Sequence, residues 1–198
     1  MQNSTSKVRV LTGTAMLGAV AAVLMYLEFP IPIMPAFVKL DVSELPALIA
    51  SFAYGPVSGI LVCLIKNLIK LPSTSTAAVG ELFNFVMGAL FVGVAGLIYK
   101  RNKTRKGAIV GALLGALVMA VVSVPYNYFI VYPAYVVMYH LPLDAIIGMY
   151  QAINPNVNGL LACLLVFNLP FTFVKGALDA ALCFLIYKPL SPILHGRK

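Results

Sequence analysis

Apolar runs close to twenty residues long recur along this chain, and that is the length a helix needs to cross the hydrocarbon of a bilayer. No other feature constrains the fold as strongly. Segments at about 10–27, 45–53, 57–71, 80–99, 108–139 and 159–187 read as helices. With 61% hydrophobic residues, 10% charged residues and a mean hydropathy of +0.96, a soluble domain is excluded. Nor do 198 residues leave room for a soluble catalytic or ATP-hydrolysing domain beside such helices. The expectation is one all-α integral membrane domain over 1–198, with six transmembrane helices, multi-pass in the cell membrane.

The net charge of +8 would suggest nucleic acid in a soluble protein. Here the basic residues cluster between apolar runs and at the termini, so the lipid bilayer and the positive-inside rule explain them better, and no nucleic-acid partner is expected. The same rule decides how 45–71 is divided. Read as one span, this stretch puts the cluster Lys100, Arg101, Lys103, Arg105 and Lys106 outside. Broken at Gly55-Pro56, it gathers that cluster with Lys7, Arg9, Lys188, Arg197 and Lys198 in the cytoplasm, leaving Lys39, Lys66 and Lys70 outside. The break is preferred, with both termini cytoplasmic. Its cost is two helices shorter than the bilayer, which neighbours must shield.

The stretch 27–49, LEFPIPIMPAFVKLDVSELPALI, joins the first two helices. Pro30, Pro32 and Pro35 each remove a backbone donor and restrict φ, so they stop the first helix and hold an extended path. Phe29, Ile31, Ile33, Met34, Phe37, Val38 and Leu40 make this loop more apolar than a solvated one. Asp41 or Ser43 is placed to cap the next helix. Such a stiff, apolar loop either caps a pocket or packs as a re-entrant segment.

Along the first helix, Ala15 and Ala19, and again Gly18 and Ala22, lie four apart. Small residues at this spacing let another helix approach closely, whether inside the protein or on a partner. The segment 80–99 opens with Glu81 and Asn84 one turn apart, and Glu81 is placed to neutralise Lys66 or Lys70. Gly107, Gly111 and Gly115 form a seam on the next helix. Its far end carries Asn127 among several tyrosines, which form either an interfacial belt or an aromatic pocket wall. In 159–187, Asn168, Thr172, Lys175 and Asp179 are spaced 4, 3 and 4 residues apart on one face. Ionisable groups within a span require partners or a polar cavity, so this stripe faces inward, with Lys175 and Asp179 as an i, i+4 pair. Pro170 loosens the same turn. Cys63, Cys163 and Cys183 stand singly in apolar runs, without metal-ligand spacing, and read as small hydrophobes.

The LEFPIP run, KLDVSELPALIASFAYGPVSG, LIKNLI, GELFNF and NLPFTFVKGALD, together with the small-residue face of the first helix, resemble one membrane family. It is the riboflavin-specific, substrate-binding S component of energy-coupling factor (ECF) vitamin transporters. The resemblance implies a subunit that captures riboflavin from outside and associates with a transmembrane coupling subunit and two cytoplasmic ATPase subunits. It implies a capping first loop and ligand contacts from Met34, Phe37, Leu40, Asp41, Glu81, Asn84, Asn127, Asn168, Thr172 and Lys175. Ala15, Gly18, Ala19 and Ala22 would meet the coupling subunit. Riboflavin is then a transported ligand rather than a cofactor. No P-loop or GxGxxG opens any helix, which favours the unphosphorylated vitamin, with FMN as a weaker ligand.

Two rival classes fit less well. An intramembrane enzyme would need a reactive trio, yet His140 and His195 both lie in connections or the tail, and no catalytic or metal site is expected. A channel would need a continuous polar path, whereas the polar residues concentrate at one end.

Overall fold

The computed structural model describes residues 2–74 and 76–195, with side-chain surroundings for 7–74 and 76–187. Arg197 and Lys198, part of the charge expectation above, lie outside the described residues, as does the side chain of Lys188. Helices dominate: α1 (Gln2–Tyr26), α2 (Glu44–Tyr54), α3 (Pro56–Lys70), α4 (Val79–Arg101), α5 (Arg105–Tyr126), α6 (Tyr132–Tyr139), α7 (Leu143–Gln151), α8 (Leu160–Cys163) and α9 (Leu169–His195). Among the described residues, five helical stretches are long and apolar enough to cross a membrane: Lys7–Tyr26, Pro56–Ser73, Val79–Arg101, Arg105–Tyr139 and Leu160–Tyr187.

Helix α2 is the exception. Its 11 residues span about 16 Å, half the hydrocarbon thickness. Every residue from Glu44 to Phe52 is buried, so α2 is apolar around most of its circumference because it touches protein on all sides. It packs against α1, α3, α4 and α9. The break before α3 falls at Gly55, whose φ of 106° suits a residue without a Cβ, and Pro56 then occupies the first turn of α3, where its missing donor costs nothing. At the end of α2 remote from Glu44, Phe52 meets Tyr99 edge-on at 5.0 Å and lies beside Phe184.

The glycine seam on α5 is internal. A Cβ on Gly111 would come within 2.8 Å of the Ala95 carbonyl oxygen, and one on Gly115 within 2.5 Å of that of Phe91, so α4 and α5 touch backbone to backbone. On α1 the small residues divide. Gly18 and Ala22 are buried, and a Cβ on Gly18 would meet Ile65 of α3 at 2.8 Å. Ala15 and Ala19 are exposed. Of the four small residues expected to face a partner, Ala15 and Ala19 are thus the exposed ones, because a 3.6-residue period turns Gly18 and Ala22 inward.

Two widened turns interrupt the long helices in the same register. π-Helical segments occupy Asn127–Val131, between α5 and α6, and Leu164–Asn168, between α8 and α9. Each ends two residues before a proline, Pro133 and Pro170. A proline cannot donate to the carbonyl one turn back and its ring crowds that carbonyl, so widening the turn relieves the clash. The consequence is positional: each segment carries one asparagine, Asn127 or Asn168, into the same cavity.

The loop 27–43 closes on itself. Phe29 pairs with Leu40 and Pro30 with Lys39 in a two-residue antiparallel ladder, and the three prolines lie within or beside the turns it encloses. Phe37 then leans edge-on against Tyr132 and Tyr150, at 6.4 and 6.2 Å between ring centroids.

Candidate functional site

A cavity of about 190 Å³ lies between this loop, the start of α4, the two widened turns and α9. Eight of the ten residues expected to bind ligand line it: Phe37, Asp41, Glu81, Asn84, Asn127, Asn168, Thr172 and Lys175. The other two do not. Met34 is buried within the loop, and Leu40 is held in the ladder opposite Phe29. Period-2 alternation accounts for Leu40, since its neighbours Lys39 and Asp41 are the ones that reach the cavity.

The buried end of the cavity is a chain of ions. Asp41 accepts hydrogen bonds from the Ser43 backbone N–H at 2.9 Å, from the Ser43 hydroxyl, and from Lys175 Nζ at 2.8 Å. Lys175 Nζ lies 3.3 Å from Glu44 Oε2. Lys66 Nζ, wholly buried, donates to Glu44 Oε1 at 2.6 Å and to Ser43 Oγ at 2.5 Å. Three elements that are distant in sequence are thus joined by alternating charge. Burial works against the charge on Asp41, yet the Lys175 and Lys66 ammoniums outweigh it and hold its carboxyl well below the usual carboxylate range.

This arrangement corrects two sequence expectations. Lys175 does not pair with Asp179. Helical side chains lean toward the N-terminus, which carries Lys175 away from residue 179 and toward the two carboxylates at the start of α2. Asp179 is fully buried below the chain, and neither of its oxygens has a hydrogen-bond partner among the described residues. Glu81, in turn, does not neutralise Lys66 or Lys70. It accepts from the Thr74 and Thr76 hydroxyls at 2.8 and 2.9 Å, because the turn before α4 folds back over its first residues.

The walls are amide and aromatic. Asn127 Nδ2 donates to the Ser123 carbonyl at 2.8 Å, and the residue lines the cavity at the start of the widened turn. Asn84 accepts from Asn67 Nδ2 at 3.3 Å. Asn168 accepts from the Tyr150 hydroxyl at 2.7 Å, and that hydroxyl also lies 2.5 Å from the hydroxyl of Tyr132. Phe83, Met87, Met119 and Phe171 supply apolar surface between these groups. A flat ligand with polar edges suits this combination: apolar surface, three amides and the Lys175 ammonium between them.

Sequence reasoning missed Glu44, Lys66, Tyr132 and Tyr150. The signal for Lys66 was present, since a charge in the middle of LIKNLI requires a partner, but the nearest carboxylate in sequence was assigned to it. The tyrosines gave no unique signal, as a belt and a pocket wall have the same composition.

Residues 9–187 match the family described as ECF transporter, substrate-specific component. The chain belongs to that family. Among its relatives are the riboflavin transporter RibU of Staphylococcus aureus, 34% identical over 91% of this chain and 89% of the relative, and the riboflavin transporter FmnP of Bacillus subtilis, 34% identical over 97% of each. A solved structure, described as the S component of a bacterial ECF transporter, superposes with a TM-score of 0.73 at 32% identity, covering 98% of this chain and 99% of that one. An S component is a transport subunit, not an enzyme.

Proposed function

We infer that this S component is the riboflavin-binding subunit of an ECF-type importer. The observation that carries the reading is the convergence of Asn84, Asn127, Asn168, Thr172 and Lys175 on one apolar-walled cavity, in a chain similar over nearly its whole length to proteins named riboflavin transporters. The isoalloxazine ring is flat and aromatic with carbonyl and imide edges, matched by amides and an ammonium. The ribityl hydroxyls match the threonine, glutamate and lysine groups nearer the mouth. Riboflavin is captured from outside and passed on through a coupling subunit powered by two separate ATPase subunits. FMN is a weaker ligand.

The topology that fits this role has six helical spans, α2 counted as a short one sheathed by its neighbours, with both termini cytoplasmic. Thiol labelling should then find the 100–106 loop on the cytoplasmic side, and external labelling there sinks the scheme. Ala15 and Ala19 are the exposed small residues left on α1 to meet the coupling subunit. Ala19→Phe should retain riboflavin binding and abolish uptake, and normal uptake would refute the docking face.

The direct test is an absorbance scan of the protein purified in detergent. Flavin bands near one equivalent, followed by quenching of riboflavin fluorescence on titration, are the expected result. A colourless protein that leaves added riboflavin unquenched would overturn the assignment of ligand and point to another vitamin.

A further inference from the structure

The mouth of the cavity is built around one carboxylate shared by two cations. Glu28 Oε1 accepts from Lys39 Nζ at 3.0 Å and from Lys70 Nζ at 3.2 Å. All three residues line the cavity, and their side chains are 25%, 38% and 12% exposed respectively, against 5% or less for Asp41 and Glu44 at the buried end. Lys70 Nζ also stands 4.3 Å over the Tyr26 ring, a second contact that holds it beside Glu28.

The two ends therefore differ in charge balance. At the buried end the ammoniums of Lys66 and Lys175 are matched by Asp41 and Glu44, and Asp179 lies beyond them, so no positive charge is in surplus. At the mouth two ammoniums share one carboxylate, Glu28, while Glu81, which also lines the cavity, is held by the Thr74 and Thr76 hydroxyls and pairs with neither lysine. An anionic group on a ligand is repelled by the carboxylates of the floor, and the ammoniums it can draw away from a shared, partly exposed carboxylate are those of Lys39 and Lys70. A flavin carrying a terminal phosphate on its ribityl chain must then bind with the phosphate outward, against Lys39 and Lys70.

We propose that Lys39, Lys70 and Glu28 form a collar that sets how tightly a phosphorylated flavin is held relative to the free vitamin. The lysines are the phosphate-facing groups, and Glu28 is the competitor that must release them. The proposal rests on the flavin reading above and adds the residues that discriminate within it. The sequence showed no phosphate cradle because these residues come from separate segments, Glu28 and Lys39 from opposite ends of the loop and Lys70 from the end of α3.

The test is the ratio of dissociation constants for FMN and riboflavin, from fluorescence quenching at low and high salt. Glu28→Gln frees both ammoniums and should lower the ratio by about threefold to tenfold, in keeping with the modest strength of partly exposed ion pairs. The double variant Lys39→Gln/Lys70→Gln should raise it by about tenfold and flatten the salt dependence of FMN binding. A ratio unchanged in both, in proteins that still bind riboflavin, overturns the collar and leaves the vitamin assignment standing. Wild-type protein that binds neither flavin overturns the assignment itself, and the collar with it.

Discussion

The buried and exposed ends of the cavity use the same chemistry, lysine against carboxylate, to different effect. Lys66–Glu44 is 2.6 Å long with both side chains essentially excluded from solvent, while Lys39–Glu28 is 3.0 Å long and partly exposed. In the interior each charge has given up its water, so each depends on its partner, and removing one strands the other. At the mouth water and salt take over when a partner leaves. The floor is a framework that holds three segments in register, and the mouth is a set of contacts that a ligand can exchange for its own.

The sharpest way to break that comparison is at Lys66. Lys66→Ala should cost about 3–5 kcal/mol of stability, because Glu44 and the Ser43 hydroxyl are left buried without their donor. Thermal unfolding in detergent measures it, and a loss no greater than that from the mouth variants would mean the floor is wetter than its burial implies. Glu44→Gln in the Lys66→Met background should recover part of the loss, since uncharged groups of similar volume replace a stranded charge with a neutral one.

Lys175 belongs to both regions, buried among the carboxylates yet lining the cavity. Its loss should weaken riboflavin binding by about ten- to a hundredfold, the worth of one charged hydrogen bond of about 1.5–3 kcal/mol. Fluorescence titration of Lys175→Ala reads this directly, and unchanged affinity in folded protein would remove α9 from the site. A smaller effect is expected at Tyr150, whose hydroxyl joins Asn168 to Tyr132. Tyr150→Phe should cost about 1 kcal/mol in thermal stability, and no shift would indicate that Asn168 finds another partner when its tyrosine is removed.

What could be read in the sequence follows the range of each interaction. The inward stripe Asn168–Thr172–Lys175 is a property of one helix and its 3.6-residue period, and the structure brings all three to the cavity. The break at Gly55-Pro56 is equally local, since a left-handed φ and a missing donor belong to two adjacent residues. The proline turns were half legible: Pro170 signalled a loosened turn, but the matching segment before Pro133 shows only when the two are compared. Ion pairing was not legible. Lys175 has a carboxylate four residues away on its own helix and takes one 134 residues distant instead, because side-chain direction and the position of α2 decide the contact. Periodicity says which way a charge faces and leaves open what it meets.

The smallest effect is expected where the two regions differ most. Glu28→Gln removes both ion pairs at the mouth, yet it should change thermal stability by no more than about 1 kcal/mol, since the freed ammoniums regain water. Its more informative signature is loss of a salt effect. At about 1 M salt the screening length falls to roughly 3 Å, so the Glu28 contribution should already be gone in the wild type, and variant and wild type should then melt together. The floor gives the opposite outcome, because ions do not reach Lys66, and the deficit of Lys66→Ala should persist at every salt concentration. A salt-independent deficit in Glu28→Gln would instead make the mouth part of the framework, and a ligand would have to break it in order to enter.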